Sequence, residues 1–236
     1  SSGIGAAYAR ALAQRGHRVA LTDRRTDRLA ELALELRERY GASTEVLPVD
    51  LAEEDGVRSL TEWIERHPSL HTLVHSAGFG TRGLFAELPV ERTVAMVRLH
   101  VEAGVRLTRA ALPGLLEAQE GAVVLVSSLA AFFTTTRYVT YAATKAYLNQ
   151  FALGLHAEVG QHGIQVQAVC PGLTRTEFMD TPEYADFQYD DIPDWAWMTA
   201  EQVVDASFAA LDRGGPTVLV PGWRNRLMME LLRAPG

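Results

Sequence analysis

Short apolar runs alternate along the chain with longer segments of helical periodicity. The apolar runs predict buried parallel strands at residues 17–22, 45–49, 70–75, 122–126, 164–169 and 217–220. Apolar side chains that recur every three or four positions predict helices at residues 4–14, 26–40, 53–66, 89–116, 138–159, 199–211 and 223–232. This alternation predicts an α/β fold, a doubly wound parallel sheet in a three-layer α/β/α arrangement.

The length suits a single domain over residues 1–236, with one segment that breaks the pattern. Residues 177–198 are acidic and rich in Tyr, Phe and Trp, and they contain two prolines and little periodicity. We interpret them as a loop with short helical pieces that forms a substrate lid; an interaction surface is the alternative.

Composition excludes several classes of function. The net charge of −7 argues against nucleic acid or an anionic membrane as the main partner. No apolar run approaches the ~20 residues that a membrane helix needs. The single cysteine, Cys170, excludes an internal disulfide and fits a reducing cytoplasm. No His/Cys cluster has the spacing of metal ligands.

The chain opens inside a glycine-containing turn. Gly3 and Gly5 lie at the start of the first predicted helix, whose N–H groups can bind a pyrophosphate; an ordinary helix start is the alternative. Such a nucleotide site needs a strand leading into the turn. We therefore expect a first strand ahead of Ser1 that the sequence does not include.

Asp23 ends the apolar run at residues 17–22, where an acid can accept both hydroxyls of an adenosine ribose. A solvated loop aspartate is the alternative. Arg24 and Arg25 follow, and an arginine at this turn can pair with a 2′-phosphate. Because Asp23 is held by the strand end while the arginines begin a turn, the sequence favours NAD, with NADP as the alternative.

The strongest chemical signal is a tyrosine and a lysine four positions apart on one helix face. Lys145 is the only lysine among 22 basic residues, and it follows Tyr141 at that spacing. An ammonium beside a phenol favours the phenolate and lowers a pKa that starts near ~10, so Tyr141 can exchange a proton with a carbonyl oxygen. Ser128 follows a strand, at the sheet edge where open α/β sheets bind ligands.

This pattern resembles the Ser…Tyr-x-x-x-Lys signature of the short-chain dehydrogenase/reductase family, which are Rossmann-fold oxidoreductases. The similarity extends to four other segments in the same order, SSGIG at residues 1–5, Asp50-Leu51, HSAG at 75–78 and PGLTRT at 171–176. The resemblance implies hydride transfer between a nicotinamide and an alcohol or carbonyl carbon. It implies cofactor contacts from Ser2, Gly3, Ile4, Asp23, Arg24, Asp50, Leu51, Ser76, Ala77, Gly78, Tyr141, Lys145, Pro171, Gly172, Thr174 and Thr176.

The sequence departs from the family pattern at two places. His75 and Ser76 stand where the family usually has two asparagines, although Ala77 and Gly78 keep the small residues that let the cofactor approach. His100 stands where the family usually has a catalytic Asn that supports a water relay to the lysine. Histidine can also shuttle protons, and a packing role is the alternative.

We therefore predict an NAD(P)-dependent oxidoreductase that interconverts a ketone or aldehyde and an alcohol, a homodimer or homotetramer in the cytoplasm. The predicted catalytic residues are Ser128, Tyr141, Lys145 and His100, and the lid aromatics imply an apolar substrate. Two alternatives stay open: a cofactor-binding regulatory protein with little turnover, and a non-redox relative such as an epimerase.

Overall fold

Parallel strands and the helices between them form the framework of this computed structural model, which describes residues 2–133, 136–180, 184 and 192–233. The helices are α1 Gly3–Gln14, α2 Thr26–Tyr40, α3 Glu54–Glu65, α4 Val90–Val97, α5 Ala103–Ala118, α6 Val139–Val159, α7 Ala200–Leu211 and α8 Trp223–Arg233. The strands are β1 Val19–Asp23, β2 Thr44–Pro48, β3 Thr72–His75, β4 Gly121–Val126, β5 Ile164–Val169, β6 Thr174–Arg175, β7 Met198–Thr199 and β8 Val218–Leu219. The α/β fold is confirmed, and most boundaries agree with the sequence prediction within two residues.

The strands pair in parallel throughout the described residues. β1 pairs with β2, and a separate four-stranded sheet has the order β3-β4-β5-β8. Within the described residues no strand joins β1 to β3, and residues of both strands line the same cavity. The strand expected ahead of Ser1 stays a prediction.

Helices cover both faces of the four-stranded sheet, which explains its apolar composition. Five of the six β4 residues are buried, as both faces of a central parallel strand require. On one face, α3, α5 and α6 pack their apolar sides against β4 and β5. On the other, α1 and α7 pack against the same strands. The remaining cluster joins α1 and α2 to β1.

The predicted helix at residues 89–116 is interrupted in the structure. A π-helical turn, Arg98–Glu102, separates α4 from α5 and contains the fully buried His100. A π turn adds a residue to the ordinary helical repeat and often marks a functional site. Gly104 follows it, and a Cβ there would lie 3.1 Å from the His75 ring. This prediction of one continuous helix was therefore wrong.

The predicted lid is only partly described. Glu177–Met179 and Asp194–Ala196 form 3₁₀ turns, and β6 pairs with β7 at its base. Residues 181–183 and 185–191 of the predicted lid lie outside the described residues. The lid, and the assignment of the whole chain to one domain, stay predictions.

A buried hydrogen-bond chain supplies a test of this packing. The Tyr8 hydroxyl donates to Ser207 Oγ at 2.6 Å, and Ser207 donates to Gln167. Tyr8→Phe leaves the buried Ser207 oxygen without that donor, so we expect a loss of about 1–2 kcal/mol in the free energy of unfolding. Urea unfolding measures it, with Tyr147→Phe as the control because Tyr147 is 42% exposed. Equal losses in both variants would contradict this role.

Candidate active site

The predicted site residues gather around one cavity of about 1570 Å³ at the carboxyl ends of the strands. Every candidate catalytic and cofactor residue predicted from the sequence lines this cavity except His100. Their common location follows from the fold, because the loops after β1, β2, β3, β4 and β5 leave the same edge of the sheet. The fold therefore places segments that are far apart in the sequence around the same cavity.

Two hydrogen bonds fix α6 against the end of β4. The Ser127 hydroxyl donates to the backbone oxygen of Lys145 at 2.9 Å. In the other direction, Lys145 Nζ donates to the backbone oxygen of Val126 at 2.9 Å. Ser127 and Lys145 are both buried. The lysine position is thus set by the strand end as well as by its own helix.

Tyr141 and Ser128 interact directly at the centre of the site. Burial raises the pKa of Tyr141 to about 12, and a hydrogen bond with Ser128 opposes part of that rise. Ser128 Oγ also accepts a hydrogen bond from the Ala130 amide at 3.1 Å, as the cap of a 3₁₀ turn. The serine hydroxyl is therefore held in place beside the phenol.

Lys145 lies near Tyr141, but burial keeps the phenol protonated. Its Nζ is 5.6 Å from the centroid of the Tyr141 ring. Burial lowers the pKa of Lys145 to about 8 because the ammonium has lost much of its hydration. The sequence predicted a lowered phenol pKa. The structure differs because burial destabilises both charged forms.

His100 is held by two structural partners. Its Nε2 accepts a hydrogen bond from the Phe79 amide at 3.2 Å, and its Nδ1 lies 2.9 Å from Thr144 Oγ1. Thr144 donates its hydroxyl hydrogen to the backbone oxygen of Tyr141, so Nδ1 carries the ring N–H and donates a hydrogen bond to Thr144 Oγ1. Burial, followed by the charge of Lys145, lowers the pKa of His100 well below its usual value. This neutral, fully bonded ring favours the packing alternative.

His75 is a second buried histidine in the same region. Burial and then the Lys145 charge lower its pKa to about 4. Its Nε2 has no hydrogen-bond partner among the described residues. Gly78 belongs to the same loop, and a Cβ there would lie 2.7 Å from His100 Nε2. The small residue that the sequence analysis assigned to cofactor approach thus also makes room for His100.

The start of α1 suits a bound diphosphate. Ser2 precedes the helix without capping it through its side chain, and the first turn has no acidic residue. Gly3 has φ +55°, and a Cβ there would lie 3.1 Å from Thr176 Cγ2. The helix N-terminus is therefore favourable for an anion and closely approached by the Thr176 loop. A nicotinamide dinucleotide fits this arrangement.

The turn after β1 is an ionic cluster. Arg25 folds back onto Asp23, with its amide 2.9 Å and Nη2 3.2 Å from the carboxylate. Arg25 also contacts Ser2 Oγ at 2.9 Å and Glu177 at 3.1 Å. The sequence analysis placed Arg24 and Arg25 at the beginning of a turn, and the structure anchors Arg25 there. Arg24 is 68% exposed and pairs with Asp50 at 3.7 Å.

Aromatic side chains form the wall beyond Tyr141. The Phe178 ring centroid lies 5.7 Å from that of Tyr141 and 5.8 Å from that of Tyr184. Trp195 and Trp223 also line the cavity and are each 63% exposed. This part of the cavity is suited to a large apolar group.

Sequence reasoning missed the residues that position the site. Ser127 was passed over because its neighbour Ser128 matched the family pattern. Glu177 and Phe178 were treated as parts of the lid without individual roles. The ion pair that joins Arg25 to Glu177 spans 152 positions, and no local pattern predicts such a pair.

Comparison with known proteins decides the family. A family model described as short chain dehydrogenase matches residues 1–185. The chain belongs to the short-chain dehydrogenase family. Related proteins of this family are named oxidoreductases that act on carbonyl or hydroxyl groups. The recognition made from the five sequence segments is confirmed.

Three members of the short-chain dehydrogenase family illustrate the similarity. A very-long-chain 3-oxoacyl-CoA reductase from Anas platyrhynchos is 35% identical over 185 residues, which cover 75% of this chain but only 58% of that protein. A short-chain dehydrogenase from Sphingobium yanoikuyae in complex with NADPH has a TM-score of 0.88 at 31% identity, over 98% of this chain and 88% of that one. A bulky-bulky ketone specific alcohol dehydrogenase from Comamonas testosteroni has a TM-score of 0.83 at 28% identity, over 100% and 93%.

Across the described ranges, none of the helices combines the length and the apolarity that crossing a bilayer requires.

The single lysine allows its pKa to be measured directly. Protein made with ¹³C-labelled lysine gives one side-chain signal, and we expect its titration midpoint near 8 because burial favours the neutral amine. The chain unfolded in urea is the control and should titrate near ~10.4. A midpoint above ~10 in the folded protein would contradict the dry environment described for Lys145.

Proposed function

We propose that this short-chain dehydrogenase interconverts an apolar ketone and the matching secondary alcohol, with NAD as cofactor and Ser128, Tyr141 and Lys145 as catalytic residues. The observation that carries the proposal is that these three side chains line one cavity with the candidate cofactor residues. The intact trio also makes a cofactor-binding regulator the weaker alternative.

A nicotinamide cofactor held at the start of α1 and beside Thr176 would supply the hydride for reduction or accept it from the alcohol. Tyr141 gives the carbonyl oxygen its proton during reduction and removes it during oxidation. Ser128 donates a hydrogen bond that orients the carbonyl oxygen toward the phenol. Lys145 contributes a positive charge that stabilises the phenolate when it forms. His100 holds the Phe79 amide and Thr144, and in our proposal it positions Tyr141 through the Thr144 hydroxyl.

The apolar wall supports a bulky substrate. Phe178, Tyr184 and Tyr138 form a row of ring contacts that begins at Tyr141. Of the relatives, one is named for bulky-bulky ketones and another for very-long-chain 3-oxoacyl-CoA. We therefore propose a ketone flanked by sizeable apolar groups.

The NAD preference is also a proposal. Asp23 stands at the end of β1 and is only 16% exposed in its side chain, so its carboxylate is well placed to accept ribose hydroxyls. Structural relatives that hold NADPH or NADP support the opposite preference. A cytoplasmic location, which the single cysteine favours, and a homo-oligomeric state complete the proposal.

Tyr141→Phe tests the proton transfer. The change removes the phenolic hydroxyl and with it the transferable proton, so we expect at least about a thousandfold loss of ketone reduction with cofactor affinity within about twofold of wild type. A panel of bulky ketones followed at the reduced-nicotinamide absorbance measures the rate, and fluorescence titration measures the affinity. Tyr147→Phe is the control. A Tyr141→Phe rate above about a tenth of wild type would exclude Tyr141 as the acid.

Asp23→Ala tests the cofactor preference. Removal of the carboxylate takes away the acceptor for the ribose hydroxyls and releases Arg25, so we expect NADH to bind about tenfold more weakly and NADPH to bind no worse. Titration of both cofactors into the wild type and the variant measures this. Tighter binding of NADPH than of NADH by the wild type would overturn the NAD proposal.

A further inference from the structure

Glu177 connects two parts of the cavity that the candidate cofactor residues line, here called the cofactor groove. It begins the 3₁₀ turn after Thr176, on the side of the groove that carries the catalytic residues. Its carboxylate pairs with Arg25 at 3.1 Å and also with Arg28 in α2. These partners lie 152 and 149 positions away in the sequence. The pair therefore crosses from the substrate side of the groove to the turn after β1.

Of the two arginines that hold Glu177, Arg25 lines the cavity where an adenosine ribose would bind. Arg25 contacts both Asp23, the proposed acceptor of the ribose hydroxyls, and Ser2 at the start of α1. A phosphate on the ribose 2′-oxygen would therefore enter the neighbourhood of Arg25. Arginine binds phosphate as readily as carboxylate, because its planar fork matches both groups. A 2′-phosphate and Glu177 thus compete for the same donors.

The charge of Glu177 makes this competition unequal for the two cofactors. Hydrogen bonds from Arg28 and then Arg25 hold the pKa of Glu177 below its usual range, so it is ionised at neutral pH. A 2′-phosphate carries about −1.5 to −2 charge. It must therefore displace the carboxylate from the arginines or bind close to it at a cost in repulsion. A ribose with a free 2′-hydroxyl neither displaces the carboxylate from the arginines nor is repelled by it.

We propose that Glu177 is a specificity-determining residue, a carboxylate that occupies Arg25 and Arg28 and so selects against cofactors with a 2′-phosphate. This inference rests on the proposed nicotinamide-dependent function. It adds a second acidic residue to Asp23, from the opposite side of the groove. It also gives the first residue of the predicted lid a role separate from substrate binding.

Glu177→Gln tests the proposal without a carbonyl substrate. The amide keeps the size of the side chain but removes the charge that holds the two arginines. We expect the ratio of the NADPH to the NADH dissociation constant to fall by about tenfold. Glu35→Gln is the matched control. Glu35 lies in α2 and pairs with Arg10 at 2.8 Å, and its side chain is about as exposed as that of Glu177. Neither Glu35 nor Arg10 lines the cavity.

A second measurement locates the effect on the ribose phosphate. Adenosine 2′,5′-bisphosphate and adenosine 5′-monophosphate differ only in the 2′-phosphate, so Glu177→Gln should tighten binding of the first alone. An unchanged cofactor ratio, an equal change for both cofactors, or the same shift in Glu35→Gln would overturn the proposal. If wild type binds neither nicotinamide cofactor, the proposed function itself fails and this inference fails with it.

Discussion

The contact between the end of β4 and the middle of α6 is the interaction on which the site depends. Ser127 donates to the backbone of Lys145, and Lys145 donates to the backbone of Val126. These bonds set both the depth of α6 and its rotation against the sheet. Tyr141 lies one helical turn before Lys145 on α6, and Ser128 directly follows Ser127 after β4. This contact therefore fixes the positions of both residues. The rest of the cavity is built around them.

The same burial imposes an electrostatic constraint. Burial raises the pKa of Tyr141 to about 12 and lowers that of Lys145 to about 8. Both shifts oppose ionisation of the phenol, because burial disfavours the phenolate and the ammonium alike. The phenol is therefore protonated at neutral pH, which is the form that can donate a proton to a carbonyl oxygen.

The sequence predicted those features that local patterns encode. Apolar runs located the strands, and the capping pattern of Thr199 and Gln202 located the start of α7. Local patterns did not predict the π turn at Arg98–Glu102, which contains His100 and coincides with its long-range hydrogen bonds to Phe79 and Thr144. The ion pairs of Glu177 depend on residues about 150 positions away. Charge and burial of that kind become visible only when the chain is folded.

The scarcity of lysine gives the buried Lys145 one more consequence. A protease that cuts after lysine has a single target in this sequence, and that target lies in the middle of α6 with its side chain 5% exposed. Cutting requires α6 to leave the sheet, so the cleavage rate reports how often the active-site helix opens. Enzymes that acetylate or ubiquitinate lysine side chains meet the same barrier. Within this sequence, any modification of a lysine side chain falls on Lys145, the residue that we propose to be catalytic.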